Sequence, residues 1–417
     1  MSESSGASFR VGLLGHGTVG AAFEALIADR ADAVEHLTGQ RPEVSGVLTR
    51  SRGDFDEILA SSDLLVEVMG GVDPAKDYVL RALSAGKHVV TANKQLLSRH
   101  GAELWDVARE NGAQLRFEAA VGGVVPVIRV LTESLAGAHI ERVHGIVNGT
   151  TNFILTRMAE TGASYAAALA EAQALGFAES DPTDDVSGAD AAAKMAILAR
   201  LAFDTTVDFD AVRFEGIEGI TSDDLAYAQK LGLSLKLIGT AERVPQDDGT
   251  DGINVRVHPA FLYAGHPLAS VGGSFNAVTI ESPAITEITI SGPGAGGSQT
   301  ASAVLGDVIS AMIPPASTPQ PRHQLPIVED VPSAYYLHVE VEDEPGVLAQ
   351  LAQVLGLQGI SVKSFVQQGE AEHAQLSMVL HPVVESRLRG AIELIDGLPP
   401  VRARPRAIRV IEEQFAE

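Results

Sequence analysis

The feature that most constrains this chain is a glycine-spaced turn, Gly15-His16-Gly17-Thr18-Val19-Gly20. It lies directly after the apolar run Phe9 to Leu14 and before a helical pattern from Val19 to Ile27. In a strand–turn–helix unit each glycine has a separate physical task. Gly15 allows the tight turn, Gly17 lets the backbone approach a pyrophosphate, and Gly20 lets helix and strand pack closely. The helix N-terminus, carrying Thr18 and Val19, attracts the anion. Alone, the spacing also fits a glycine-rich turn with no ligand; at the head of a strand–helix–strand pattern it specifies a dinucleotide site.

The rest of the first third supports that reading. Strand-like runs at Val44 to Leu48, Leu64 to Val68, His88 to Thr91 and Gln114 to Phe117 alternate with helical patterns at Asp77 to Ala85 and Ser98 to Glu110. Alternation of this kind predicts right-handed parallel crossovers and an α/β fold, a Rossmann-type doubly wound parallel sheet over residues 1–135. Beyond Leu135 the texture changes to an α+β unit, expected over 136–313. Its strands are read at Arg142 to Val147, Ile253 to Pro259, Ala277 to Glu281 and Glu287 to Ser291. Its helices are read at Asn152 to Glu160, Tyr165 to Leu175 and up to about Ala202, with a helix over 298–313 packing back on the first sheet. The proline cluster Pro314 to Pro332 reads as a linker. Residues 333–417 then follow a βαββαβ order: Tyr335 to Glu342, Val347 to Leu355, Ile360 to Val366, Ala374 to Leu380, Glu385 to Ile395 and Ala407 to Ile411.

Composition removes whole classes of function. Fifty-four acidic residues against 30 basic ones leave a formal net charge of -24, which repels phosphate backbones and excludes nucleic acid as the expected partner. No apolar run has the length of a membrane helix, and Met1 to Ser8 lacks a basic-then-apolar signal pattern, so a cytoplasmic enzyme is expected. The chain has no cysteine, which excludes disulfides, thiolate metal sites and a covalent thiol intermediate. The histidines show neither HxxxH nor HExxH spacing, so no zinc site is expected.

Two stretches bear on the cofactor. NAD-specific folds end the second strand with a carboxylate that accepts from the ribose hydroxyls. Here the strand ends Leu48-Thr49-Arg50-Ser51-Arg52, with two guanidinium groups in reach of a 2′-phosphate, so NADP is favoured with NAD as the alternative. Two solvated loop arginines are the plainer reading of the same residues. Val89-Val90-Thr91-Ala92-Asn93-Lys94 ends a later strand, and crevices form beyond the carboxyl ends of parallel strands, so Thr91, Asn93 and Lys94 are placed toward the cofactor.

The block Gly176-Phe177-Ala178-Glu179-Ser180-Asp181-Pro182-Thr183-Asp184-Asp185, followed by Gly188 to Lys194, is the most informative for substrate chemistry. Asp190 and Lys194 are four apart and share a helix face. Most such pairs are solvated salt bridges. On the helical wheel, however, Lys194 is flanked by Ile197 and Leu201 on one side and by Leu198 and Ala191 on the other. A lysine in the middle of an apolar face needs a buried partner or a ligand, and Asp190 is the obvious partner. A desolvated ammonium held by a carboxylate can polarise a carbonyl and donate a proton as hydride arrives. Glu179 and Asp184, in the preceding turn, suit a substrate ammonium group, although acidic turn residues are usually only solvated. Glu118-Ala119-Ala120-Val121-Gly122-Gly123-Val124-Val125-Pro126 places a carboxylate beside a glycine turn. It reads first as a plain turn and second as a site for a hard cation held by carboxylate and carbonyl oxygens.

Together these segments resemble the homoserine dehydrogenase family, in its long form with a C-terminal ACT regulatory domain. The resemblance covers nearly the whole chain. It rests on the turn opening at Gly12, the Val90 to Lys94 stretch, Gly145-Ile146-Val147-Asn148-Gly149-Thr150-Thr151-Asn152, the Glu179 to Lys194 block and Gly292-Pro293-Gly294-Ala295-Gly296-Gly297. It implies NAD(P)-dependent interconversion of L-aspartate 4-semialdehyde and L-homoserine, on the route to threonine, methionine and isoleucine. By position, Lys194 becomes the proton donor and acceptor supported by Asp190, and Glu179 and Asp190 contact homoserine, with Asp184 nearby. Lys94 lies between cofactor and substrate, and Gly176 and Gly292 line the cofactor. Glu118 with the backbone carbonyls of Val121, Gly123 and Val125 resembles the family's sodium site. A homodimer is implied, with a tetramer as the larger alternative. The Asp343 to Leu348 turn and Gly359-Ile360-Ser361-Val362 resemble the ACT effector loop and second strand, with threonine the expected effector. The family's second strand usually ends Val-Arg-Asp rather than Thr49-Arg50-Ser51, and the Ser51 to Ser62 stretch is short, which leaves the adenosine contacts open. Two other readings compete. A semialdehyde-oxidising enzyme needs a cysteine that this chain lacks, and a non-catalytic amino-acid sensor has no use for the Asp190–Lys194 pair.

Overall fold

The computed structural model describes residues 7–246, 249–313, 325–368 and 374–411. Of the expected linker, residues 314–324 lie outside them. Strands β1 (Ala7–Leu14), β2 (Gln40–Leu48), β3 (Leu64–Glu67), β4 (His88–Thr91) and β5 (Leu115–Arg116) form an all-parallel sheet in the order β2-β1-β3-β4-β5. Helices α1 (Thr18–Thr38), α2 (Phe55–Ser61), α3 (Ala75–Ser84) and α4 (Lys94–Glu110) make the crossovers. Val11, Leu13, Leu64, Leu65 and Val66 are fully buried, as central strands covered on both faces must be. Pro42 is tolerated because β2 is an edge strand. Helix α1 runs well past the expected Ile27, because Phe23, Ile27, Ala31 and Val34 keep one buried stripe through a charged segment. Gly39, at φ +77°, ends it. The sheet order reverses between β1 and β3, which puts the crevice at their carboxyl ends.

The second half is built on another sheet. Helices α5 (Val127–Arg129), α6 (Gly149–Thr161), α7 (Tyr165–Ala174), α8 (Thr183–Val186), α9 (Ala189–Phe203) and α10 (Ser222–Lys230) surround strands β6 (Arg142–Ile146), β7 (Arg213–Phe214), β8 (Leu233–Pro245), β9 (Asp251–Tyr263), β10 (Phe275–Ser282) and β11 (Thr286–Pro293). Strand β8 has no counterpart in the sequence reading. It pairs with β9 from Leu233↔Tyr263 to Pro245↔Asp251, and its alternate residues Leu233, Leu235, Leu237 and Ala241 enter the main core. Helix α11 (Gly297–Met312) lies on the first sheet beside α1, packing Ala301, Val304 and Val308 against Phe23 and Ile27.

The C-terminal stretch gives β12 (Pro332–Val341), α12 (Val347–Leu357), β13 (Val362–Gln368), β14 (Ala374–Val384), α13 (Glu385–Asp396) and β15 (Arg406–Ile411), the βαββαβ order read from the sequence. These strands have their own core, including Leu337, Val339, Leu351, Leu376 and Ile395. Their sheet is nevertheless continuous with the second one, because β15 pairs in parallel with β9 at Arg409↔Ala260. No helix among the described residues is long and apolar enough to cross a membrane.

Candidate active site

The glycine turn has the geometry of an anion cradle. Gly15 stands at φ +102°, and a Cβ there would lie 2.8 Å from the Val68 carbonyl carbon. A Cβ on Gly20 would lie 2.2 Å from the Gly15 oxygen, so close packing of turn and helix requires glycine. Nothing stands within 4 Å of a Cβ position on Gly17, and no side chain caps α1, so its first N–H groups are free to face a pyrophosphate. Gly297, opening α11, lies against Thr18, which brings the 292–297 loop beside the turn. Arg50 and Arg52 stand exposed in the bend after β2, closed by the Thr49 N–H donating to the Arg52 carbonyl at 2.8 Å. Among the described residues neither makes an ion pair.

Thr91 is placed differently from the expectation. It is fully buried, and its hydroxyl donates to Glu67 at 2.6 Å, so its side chain turns into the sheet rather than toward the crevice. Asn93 caps α4, accepting the Leu96 N–H at 3.1 Å, and thereby makes Lys94 the first residue of that helix.

From there Lys94 reaches the second half of the molecule. Its Nζ forms an ion pair with Asp190 Oδ1, while Lys194 Nζ donates to Asp190 Oδ2 at 2.7 Å and to the Val147 carbonyl at 2.8 Å. The Asn148 side-chain amide uses one N–H on Asp190, at 2.8 Å, and the other on Asp185, at 2.7 Å. Two lysines therefore share one carboxylate, whose side chain is 2% exposed; Lys194 is 12% exposed and Lys94 37%, which ranks them from floor to mouth. Burial opposes charge on Asp190, but the flanking ammonium groups outweigh it and hold the carboxyl well below its usual range. Burial, together with the positive charge of Lys94, lowers the Lys194 pKa from the ordinary lysine value, against the pull of Asp190. Lys94 is moved the other way: burial lowers it, and Asp190, with Asp185 and Asp184, raises it above that value. Burial and the neighbouring Asp190 push Asp185 up.

The remaining expected residues lie around this cluster with unequal engagement. Asp184 accepts from Gln95 Nε2 at 3.2 Å, linking the segment before α9 to the start of α4. Glu179 is exposed; its backbone carbonyl accepts from Gln173 at 3.0 Å, and among the described residues no hydrogen bond or ion pair joins its side chain to Asp190 or Lys194. Gly176, at φ +77°, sits exposed just before Phe177, whose carbonyl accepts from the Thr150 hydroxyl at 2.7 Å. Asn148, Asp185 and the Val147 carbonyl lie in motifs quoted from the sequence, but no role in the site was assigned to them there. Asn148 was signalled by its place before Gly149 and Thr150 as a helix cap, and it does accept the Thr151 N–H at 2.8 Å. A backbone carbonyl such as that of Val147 leaves no residue-type signal at all.

The turn after β5 holds the residues expected to bind a cation. Glu118 is 3% exposed and accepts the N–H groups of Ile128 at 2.8 Å and Arg129 at 3.0 Å. Burial and the neighbouring Asp307 nonetheless push its carboxyl up to about 7, against the pull of Arg129, whose Nε lies 3.6 Å from Oε2. Gly122 and Gly123 both have positive φ, +78° and +67°, which turns the intervening carbonyls. A Cβ on Gly123 would lie 2.4 Å from the Gly294 oxygen, and one on Gly292 would touch Val125 at 3.3 Å. The expected cation turn and the expected cofactor glycine are thus in contact. The described residues contain no cluster of three or more His, Cys, Asp or Glu side chains spaced for a metal, so an ion here depends on backbone carbonyls beside one carboxylate. That donor set fits a hard, weakly charged cation.

A dinucleotide cradle at the switch point of a parallel sheet, in a chain that also sets two lysines on one buried carboxylate, defines a nicotinamide-nucleotide oxidoreductase. The family profile described as homoserine dehydrogenase, NAD binding domain, matches residues 15–118, and that of homoserine dehydrogenase matches residues 126–309. The homoserine dehydrogenase of Corynebacterium glutamicum is 44% identical over 430 residues, spanning 97% of this chain and 96% of its own. A crystal structure of the homoserine dehydrogenase from Thiobacillus denitrificans superposes with a TM-score of 0.90 at 35% identity, over 97% of this chain and 98% of its own. A hyperthermophilic archaeal homoserine dehydrogenase in complex with NADPH matches 73% of this chain and 97% of its own, with a TM-score of 0.62 at 29% identity. The chain belongs to the homoserine dehydrogenase family, as its sequence motifs implied.

Proposed function

We propose that the chain interconverts L-aspartate 4-semialdehyde and L-homoserine, with Lys194 as the proton donor and acceptor. The observation that carries this reading is the double tether on Lys194. An ammonium group has three N–H donors, and two are committed to the Val147 carbonyl and Asp190, which leaves the third in a fixed direction. When bound, the nicotinamide supplies hydride to the aldehyde carbon in reduction and takes it back in oxidation. In reduction, Lys194 gives its proton to the aldehyde oxygen as the carbonyl becomes an alcohol. In oxidation, the neutral amine takes that proton from the hydroxyl. Asp190 keeps Lys194 oriented and ionised, and Lys94 adds positive charge at the mouth of the site. Glu179 and Asp184, both exposed toward solvent, are assigned to the substrate ammonium group.

The finer assignments have separate supports. Gly15, Gly17, Thr18, Val19, Gly176 and Gly292 line the cofactor, and exposed Arg50 favours NADP over NAD. Glu118 with the carbonyls of Val121, Gly123 and Val125 holds a sodium ion as a structural element. Family membership supports a homodimer. Functionally the chain divides at 135, 313 and 332 into cofactor, catalytic, linker and regulatory parts. Gly346, at φ +98°, immediately precedes α12 after the Asp343 turn, which supports an amino-acid effector site there, with threonine the first candidate. The experiment that tests the central reading is NADPH consumption by the purified full chain on L-aspartate 4-semialdehyde. Turnover is expected; a chain that binds NADPH but does not turn over is a sensor, and the proposal fails.

A further inference from the structure

Glu67 closes β3 with a fully buried side chain, and no cation among the described residues pairs with it. A carboxyl in that position is costly unless its hydrogen bonds do something that an apolar residue cannot. Its partners lie at the carboxyl ends of β3 and β4, beside the crevice. Oε2 accepts from the hydroxyl of Thr91, the last residue of β4, at 2.6 Å, and Oε1 accepts the Met69 N–H at 2.8 Å, in the turn after β3. The Val68–Met69 peptide so held is the one packed against Gly15 of the anion cradle. Thr91 Oγ1 in turn accepts the Asn93 N–H at 3.0 Å, and the Asn93 amide donates to the Gly71 carbonyl at 2.5 Å. Asn93 caps α4, whose first residue is Lys94. One buried carboxyl therefore ties the ends of β3 and β4 to the glycine turn and to the start of α4, and the chain of bonds ends one residue from Lys94.

We infer that Glu67 is a positioning residue of the reaction, bracing the turns after β3 and β4 so that Lys94 stands against Asp190. It acts through Lys94, so the inference rests on the proposed roles of Lys94 and Lys194. Loosening the brace frees Lys94 from Asp190. Lys194 then loses a neighbouring positive charge and has the carboxylate to itself, so its pKa rises.

The test is a double-mutant cycle in the full chain. Glu67→Gln keeps the shape but cannot accept from both Thr91 and Met69 as the carboxylate does; Thr91→Val removes the other end of the bond and leaves Glu67 in place. Each is measured alone and on Lys94→Ala, for kcat, KM and the pH profile of semialdehyde reduction. Each single variant is expected to lower kcat about tenfold with little change in KM, and to move the alkaline limb of the profile to higher pH. On the Lys94→Ala background the same changes should cost less than about twofold. If Lys94→Ala itself loses rate but Glu67→Gln and Thr91→Val each add their full factor on top, only the Glu67 inference falls. If Lys94→Ala retains the wild-type kcat, the role of Lys94 falls and this inference with it. Should Glu67→Gln not fold, Thr91→Val decides by the same criteria.

Discussion

Replacing Asp190 by asparagine removes one negative charge and almost no volume, and the consequences follow from what surrounds it. Lys194 and Lys94 both rest on this carboxylate, which is 2% exposed. At about 4 Å and an effective dielectric constant of about 20, each such pair is worth about 4 kcal/mol of Coulomb attraction. Breaking a buried pair from one side typically costs about 3–5 kcal/mol, because the partner charge is left uncompensated. The molecule can escape that cost by letting the more deeply buried lysine lose its proton. Lys194 already sits below the ordinary lysine pKa through burial and Lys94, and without Asp190 it falls further. The ammonium form is the acid in aldehyde reduction, so activity is lost as pH rises through that pKa. A lower pKa moves the alkaline limb to lower pH. The expected outcome for Asp190→Asn is a reduction rate down by about 10²–10³ near neutral pH, the range for a lost general acid, with a smaller deficit in more acidic buffer. Homoserine oxidation uses the neutral amine and should be impaired less by the protonation change. The assay is the pH dependence of kcat in both directions, with NADPH binding measured alongside. An Asp190→Asn protein with the wild-type alkaline limb would refute the electrostatic argument.

Three further outcomes are expected. Arg50→Ala should raise KM for NADPH by about tenfold, the scale of one charge-assisted hydrogen bond, and leave KM for NADH nearly unchanged. Gly20→Ala drives a methyl group to 2.2 Å from the Gly15 oxygen, so it should destabilise the fold by about 1–3 kcal/mol and weaken cofactor affinity, both readable by thermal denaturation with and without NADPH. Replacing sodium by choline at constant ionic strength should lower the melting temperature of the wild type but not of Glu118→Gln; equal shifts in the two proteins would remove the cation site.

The glycine turn, the alternating pattern to Phe117 and the βαββαβ ending were legible because each rests on local signals: glycine spacing, periodicity and turn residues. The extension of α1 to Thr38 was obscured by the charges from Asp29 to Glu35, which conceal a continuing buried stripe. Strand β8 carries the alternation Leu233, Leu235, Leu237, but an ambiguous short apolar run is settled only by its long partner β9. In the site, Lys194 and Asp190 were legible because a lysine on an apolar helix face is anomalous within one segment. The contact of Lys94 with Asp190 joins residues 96 positions apart on two helices, α4 and α9, and sequence spacing carries no record of it. Thr91 shows the converse. It is at the right position for the crevice, yet its hydroxyl is drawn inward by a buried carboxyl that no local pattern announces.

The central claim is that Lys194 transfers the proton. Its most direct test is the single-turnover rate of NADPH oxidation on L-aspartate 4-semialdehyde, wild type against Lys194→Ala, with NADPH affinity measured on the same samples. Lys194→Ala should keep the wild-type NADPH affinity and turn over at a rate lower by at least about 10². Undiminished turnover in Lys194→Ala would contradict the claim.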